Sequence, residues 1–229
     1  MCGSCRRSPR SVGTLARGLF ITLEGPDGSG KTTQAALLYA WLTAEGYPVL
    51  QTREPGGTRI GERIRAVLHD PAHTEMAAPA EILLYSAARA QLVAEVIRPA
   101  LAAGQLVLCD RYFDSTYAYQ GYGRGLPLDV LREITRFATG GLIPDVTFYL
   151  DLPPEVGLQR RLQGGGEINR LDQETLAFHE RVRAGYLELL RQEPQRWVRL
   201  DAGGAIEDVQ AALRAQLASW LASHLVASF

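Results

Sequence analysis

The segment Gly25-Pro-Asp-Gly-Ser-Gly-Lys31-Thr32-Thr33 constrains this chain more than any other. It matches G-x-x-x-x-G-K-[ST], and it is flanked as that pattern requires. The apolar run Leu19–Glu24 precedes it as a strand, and Thr32–Glu45 follows it as a helix ending at Gly46. Gly25, Gly28 and Gly30 let the backbone curl until successive N–H groups converge on phosphate oxygens, and the helix N-terminus adds its positive end. Lys31 supplies a compact ammonium, and Thr32 supplies a hydroxyl suited to Mg²⁺. Of 24 basic residues Lys31 is the single lysine and the other 23 are arginine, so the exception falls where a broad guanidinium would not fit.

Four further apolar, β-branched runs stand out: Pro48–Thr52, Leu106–Asp110, Val146–Asp151 and Trp197–Leu200. They are continuous more than alternating, as strands buried on both faces are. Helical patterns lie between them at Arg59–Leu68, Ala80–Ala103, Leu128–Ala138, Pro154–Leu162, Gln173–Arg191 and Ile206–Leu225. Alternating strands and helices predict an α/β fold with a doubly wound, five-stranded parallel sheet in one domain over 18–229. Ligands of such sheets gather at the carboxyl ends of the strands.

The chain has 229 residues and a net charge of -1, without the basic excess that marks a binder of nucleic acid polymers. No run approaches about eighteen apolar residues, so no membrane-spanning helix is predicted. Residues 1–17 carry four arginines and no acid, and they read as an unstructured leader, with Val12 or Leu15 as alternative starts. Cys2 and Cys5 form a C-x-x-C without the second pair that a structural zinc needs, and Cys109 reads as a small core residue. Three cysteines and no disulfide framework suit a reducing cytoplasm. The four histidines are scattered and suggest no metal site.

A guanine-binding N-K-x-D is impossible, because the lysine is already used. The third strand ends Asp110-Arg111-Tyr112, with arginine where a water-activating ATPase has glutamate. Arg111 therefore reads as a phosphate clamp, as an acceptor that is itself a phosphate would need. Arg53-Glu54-Pro55-Gly56-Gly57-Thr58 closes the second strand on the same rim, and Arg65 lies one helix on. Tyr85 and Arg89, four residues apart, put a flat ring and a forked donor on one helical face, which suits a nucleobase with a polar edge. A kinase for another nucleotide (UMP, dUMP or a deoxynucleoside) and a P-loop regulatory module are the alternatives on these residues.

EGPDGSGKTTQ, REPGGT, the Tyr85–Arg89 segment, DRYFDSTYAYQGYGRG and NRLDQE together resemble bacterial thymidylate kinase, from about Leu19 to the C-terminus. The resemblance implies the P-loop nucleotide kinase fold, the reaction ATP + dTMP giving ADP + dTDP with Mg²⁺, and a cytoplasmic homodimer. Gly25 to Thr33, including Pro26, Asp27 and Ser29, would bind ATP. Lys31 and Arg111 would hold the transferring and acceptor phosphates, with Arg65 helping to neutralise the acceptor. Asp27 would accept from the sugar 3′-hydroxyl, Tyr85 would stack on thymine and Arg89 would bond a base carbonyl. Thr116 and Gln120 would read the remaining polar edge, and Tyr119 would crowd the 2′ position. Asp110 and Glu54, with Thr32, would organise Mg²⁺. Relatives that carry an arginine in the loop have it where this chain has Gly28, so the catalytic arginine is expected from a lid over 160–171. Arg170 is the first choice and Arg161 the second. Asp201–Val209 would lie against adenine, and the Ala80–Ala103 helix with parts of 115–140 would form the dimer interface.

Overall fold

The computed structural model describes residues 17–164 and 170–225. Residues 1–16 of the leader, with Cys2 and Cys5, and the lid centre at 165–169 lie outside the described residues. Five strands form one parallel sheet in the order β2-β3-β1-β4-β5: β1 Leu19–Glu24, β2 Val49–Arg53, β3 Leu106–Asp110, β4 Val146–Asp151 and β5 Trp197–Asp201. All five were legible as apolar runs, with ends shifted by at most a residue. Register aligns Arg53 with Asp110, Leu23 with Asp110 and Phe148, and Asp151 with Asp201. The carboxyl ends therefore form one rim, and the loop after β1 sits where the chain switches from one half of the sheet to the other.

Strand period splits the core in two. Phe20, Val107, Cys109 and Tyr149 face one layer. That layer contains α3 (Ala78–Leu92), the segment 113–123 and α8 (Leu176–Gln192). Ile21, Leu23, Leu108 and Phe148 face the other, which holds α1 (Lys31–Ala44) and α9 (Ile206–Leu225). The remaining helices are α2 (Arg59–His69), α4 (Arg98–Ala102), α5 (Phe113–Thr116), α6 (Leu128–Thr139) and α7 (Pro154–Gln163).

Two departures from the sequence expectation have physical causes. The single helix over Ala80–Ala103 is interrupted by a π turn at Val93–Ile97 before α4. Pro99 has no N–H for the regular ladder, and a widened turn absorbs the mismatch. The stretch Phe113–Gly123 is helical, an α turn followed by a π turn over Tyr117–Gly123, although it carries two glycines. Gly123 is there for packing: a Cβ would come within 2.7 Å of the Phe178 ring on α8.

Candidate active site

The Lys31 ammonium donates to the loop itself, to the carbonyls of Gly25 (3.0 Å) and Pro26 (2.8 Å) and to Ser29 Oγ (3.3 Å). Burial, reinforced by Arg111, lowers its pKa to about 8. Gly28 has φ +76°, and a Cβ there would come within 2.1 Å of the Gly157 carbonyl on α7. Close seating of the loop on α7 thus excludes any side chain at 28. Thr32 Oγ1 donates to Asp110 Oδ2 at 2.6 Å, which puts a hydroxyl and a carboxylate beside the loop.

Arg111 is the non-glycine residue with positive φ (69°) among those described, a conformation that costs energy and is held by its surroundings. Its backbone N–H donates to Leu23 O (2.9 Å). Its Nη2 donates to Asp27 Oδ1 (2.7 Å) and Tyr119 OH (3.1 Å). Its Nη1 donates to Gly25 O (3.0 Å), Ser115 Oγ (3.0 Å) and Tyr186 OH (3.2 Å). Tyr119 OH in turn donates to Asp27 Oδ2 at 2.7 Å. Burial would raise the Asp27 carboxyl, but Arg111 and Lys31 outweigh it and hold the group ionised. Behind this network sits Glu24, fully buried, which accepts from Ser115 Oγ (2.6 Å) and Tyr186 OH (2.8 Å). Burial, then Asp114, push its pKa up. Glu24, Ser115 and Tyr186 were missed by sequence reasoning. Ser115 lies within the DRYFDS block, whereas no local pattern announces Tyr186, which is 71 residues further on.

The nucleobase end is built from one stripe of α3. Arg89 is 1% exposed; its Nε donates to Glu54 Oε2 (2.8 Å) and its Nη2 to Thr116 Oγ1 (3.0 Å). Its Nη1 is buried with no partner among the described residues, and so is Glu54 Oε1. A buried donor left unpaired is costly, so Arg89 is shaped for an acceptor that arrives with a ligand. Burial raises Glu54 to about 7 against the pull of Arg89. Tyr85, Thr116, Tyr119 and Gln120 line the same cleft, and burial pushes the Tyr85 hydroxyl up.

The cleft encloses about 1190 Å³ and runs from the phosphate loop to Tyr85. Arg65 faces it, with Nη1 donating to Pro55 O (2.9 Å), as does Arg53, which grips Glu62 (3.0 Å). His69, one of the four scattered histidines, also lines it, and burial with Arg65 nearby lowers its pKa to about 4. The two lid arginines are placed differently. Arg161 lines the cleft and pairs with Asp172 (Nε to Oδ1, 3.1 Å). Arg170, the first choice from sequence, is outside the cleft lining: it is 8% exposed and its Nη2 is paired with Glu81. Glu81, fully buried and ionised, holds the guanidinium there. Arg160, at the base of the lid, donates to the carbonyls of Ala202 (2.9 Å) and Gly203 (3.1 Å), tying α7 to the loop after β5.

The parallel sheet, the phosphate loop at its switch point and the arginine-lined cleft leading away from that loop define a P-loop phosphotransferase. The thymidylate kinase family model matches residues 23–213. Curated relatives called thymidylate kinase agree. The protein of Roseiflexus castenholzii is 57% identical over 217 residues, covering 90% of this chain and 95% of its own. That of Deinococcus radiodurans is 56% identical over 197 residues (86% and 95%), and that of Pseudomonas syringae pv. syringae is 53% identical over 196 (86% and 93%). The chain belongs to the thymidylate kinase family, enzymes that phosphorylate dTMP at the expense of ATP.

Proposed function

We propose that this chain carries out ATP + dTMP giving ADP + dTDP, with the residue roles that follow. The observation carrying the reading is the unpaired, buried Arg89 Nη1 on a cleft that leads straight to the phosphate loop. Thymine lies against Tyr85, its carbonyl meeting Arg89 and its remaining polar edge meeting Thr116 and Gln120. Asp27, ionised and fixed by Arg111, accepts from the 3′-hydroxyl, and Tyr119 closes the space beside the 2′ position. Arg111 and Arg65 bracket the acceptor phosphate, which is already nucleophilic at neutral pH and needs no general base. The loop N–H groups and Lys31 hold the ATP phosphates so that the γ-phosphorus faces the acceptor oxygen, and transfer proceeds in line by positioning and charge neutralisation. Arg161 is the candidate to reach the transferring group, since it already lines the cleft. Arg170 supports the lid from outside the cleft lining.

Hard oxygen ligands beside the loop, the Thr32 hydroxyl and Asp110 carboxylate, suit Mg²⁺, which keeps waters and phosphate oxygens and takes few protein ligands. Bound there, with Glu54 behind its waters, it would neutralise charge on the phosphate oxygens. Among the described residues no helix is long and apolar enough to cross a membrane. The cytoplasm, where both nucleotides are held, is the compartment proposed. Exposed Ile60, Val67 and Leu83 on α2 and α3, with Val130 and Phe137 (91% exposed) on α6, support a homodimer through this side.

A coupled assay for ADP release with dTMP, dUMP, UMP and dCMP in turn tests the reading. Turnover with dTMP far above UMP is expected; equal turnover with UMP would overturn it. Light scattering of native protein and Phe137→Asp tests the dimer, with a shift toward monomer expected.

A further inference from the structure

Glu81 has no task in the roles above, yet it is the most heavily bonded buried carboxylate next to the nucleobase end of the cleft. It lies in the first turn of α3 and is 0% exposed. Oε1 accepts from Gln120 Nε2 (2.8 Å) and Arg124 Nε (2.8 Å), and Oε2 accepts from Arg124 Nη2 (3.0 Å) and from Arg170 Nη2. Glu81, Tyr85 and Arg89 fall at steps of four on α3, so one buried stripe presents a carboxylate, a ring and a guanidinium in succession. Burial would raise the Glu81 pKa, but the bonds from Arg124, Arg170 and Gln120 outweigh it and keep the group ionised.

An ionised carboxylate can only accept. Gln120 must therefore turn its NH₂ toward Glu81, because the reversed amide would set two acceptors against each other. Its carbonyl oxygen is then the atom left over, and among the described residues no donor meets it, although Gln120 lines the cleft. Arg89 Nη1 is an unpaired donor on the same wall. A base presenting a carbonyl beside an N–H meets this donor and acceptor with both of its groups paired. A base presenting an amino group beside an unprotonated ring nitrogen meets donor with donor and acceptor with acceptor. Thymine is the first kind, with O4 and N3–H; cytosine is the second, with N4–H₂ and N3.

We propose that Glu81 is a positioning residue for base selection: by fixing the Gln120 amide with its carbonyl toward the cleft, it makes the site accept thymine and reject cytosine. Arg170 and Arg124 serve this by keeping Glu81 charged and in place, which links the end of the lid to the reading of the base. This rests on the reading that Gln120 faces the base of the acceptor nucleotide.

The test compares native enzyme with Glu81→Gln, measuring kcat and KM for dTMP and dCMP. A neutral amide at 81 can donate to Gln120 and allow it to reverse. The ratio of kcat/KM for dTMP over dCMP is expected to fall at least about tenfold, mainly through the KM for dTMP. A variant that loses activity toward both nucleotides with the ratio unchanged would overturn the proposal. If Glu81→Gln does not fold, calorimetry of the native enzyme decides it. A dTMP analogue with C–H in place of N3–H, equal in shape, is expected to bind at least about tenfold more weakly than dTMP. Equal binding of the two would overturn the proposal. Native enzyme that does not use dTMP would instead sink the underlying reading of the substrate.

Discussion

Raising the pH should disarm the phosphate loop far earlier than an ordinary lysine would allow. Lys31 has a pKa of about 8 because burial, then Arg111, disfavour its charged form. On the proposed role of Lys31, ATP should reverse the balance: its phosphates would replace the carbonyls of Gly25 and Pro26 as partners and hold the proton on. In the free enzyme at about pH 9, roughly one loop in eleven carries the charge. The kcat/KM for ATP should therefore fall about tenfold from its plateau, whereas a lysine at the usual 10.5 would cost about 3%. The kcat profile, which reports the loaded enzyme, should stay flatter over the same range. Calorimetry gives an independent reading. At about pH 8 each ATP bound should draw in about half a proton, seen as a slope of binding enthalpy against buffer ionisation enthalpy. With no second lysine in the chain, no other side-chain ammonium contributes. A flat kcat/KM to about pH 10 together with no proton uptake would refute the reasoning.

Separating the two lid arginines is equally direct. Arg161→Ala should lower kcat by about 10³-fold or more, the worth of an arginine that meets the transferring phosphoryl group. Arg170→Ala should leave kcat closer to native and act on the KM for dTMP; steady-state kinetics of both variants checks this, and the reverse pattern would restore Arg170 as the finger. Arg111→Lys should cost at least about 10² in kcat/KM for dTMP, since a single ammonium cannot replace a fork bonded to Asp27, Tyr119, Ser115 and Tyr186 at once. Behind the cleft wall, next to Ser115, Asp114 holds Arg196 through two bonds (2.7 and 2.9 Å) in the interior. Asp114→Ala should cost about 3 kcal/mol or more by removing the buried partner of that guanidinium and leaving it only the half-exposed Glu193 carboxylate (2.7 Å). A fall in Tm of at least about 6 °C in calorimetry is expected, and an unchanged Tm would refute it.

The strands and the phosphate loop were legible because their signals are local. A buried parallel strand writes itself as an apolar run, and the loop as glycines at fixed spacing before Lys31. Phe113–Gly123 was not legible as a helix, because its glycines answer to contacts with α6 (Gly121) and α8 (Gly123) and its helicity is imposed from outside the segment. The same holds within the site. Tyr85 and Arg89 were found from one spacing, and Glu81 one step earlier on the same stripe could have been found that way. Its meaning needed Gln120, Arg124 and Arg170, which lie 39, 43 and 89 residues away. Arg170 drew attention through its motif, but a motif does not say which carboxylate a guanidinium will meet. Glu24 and Tyr186, 162 residues apart, show the same limit: a long-range bond leaves no trace in either neighbourhood.

The most direct measurement is a crystal structure of the enzyme with dTMP bound. It should show thymine against Tyr85, O4 within hydrogen-bond distance of Arg89 Nη1, N3 within reach of Gln120 Oε1, and the 5′-phosphate between Arg65 and Arg111. A nucleotide seated with its base away from Arg89, or its phosphate away from Arg111, would contradict the account.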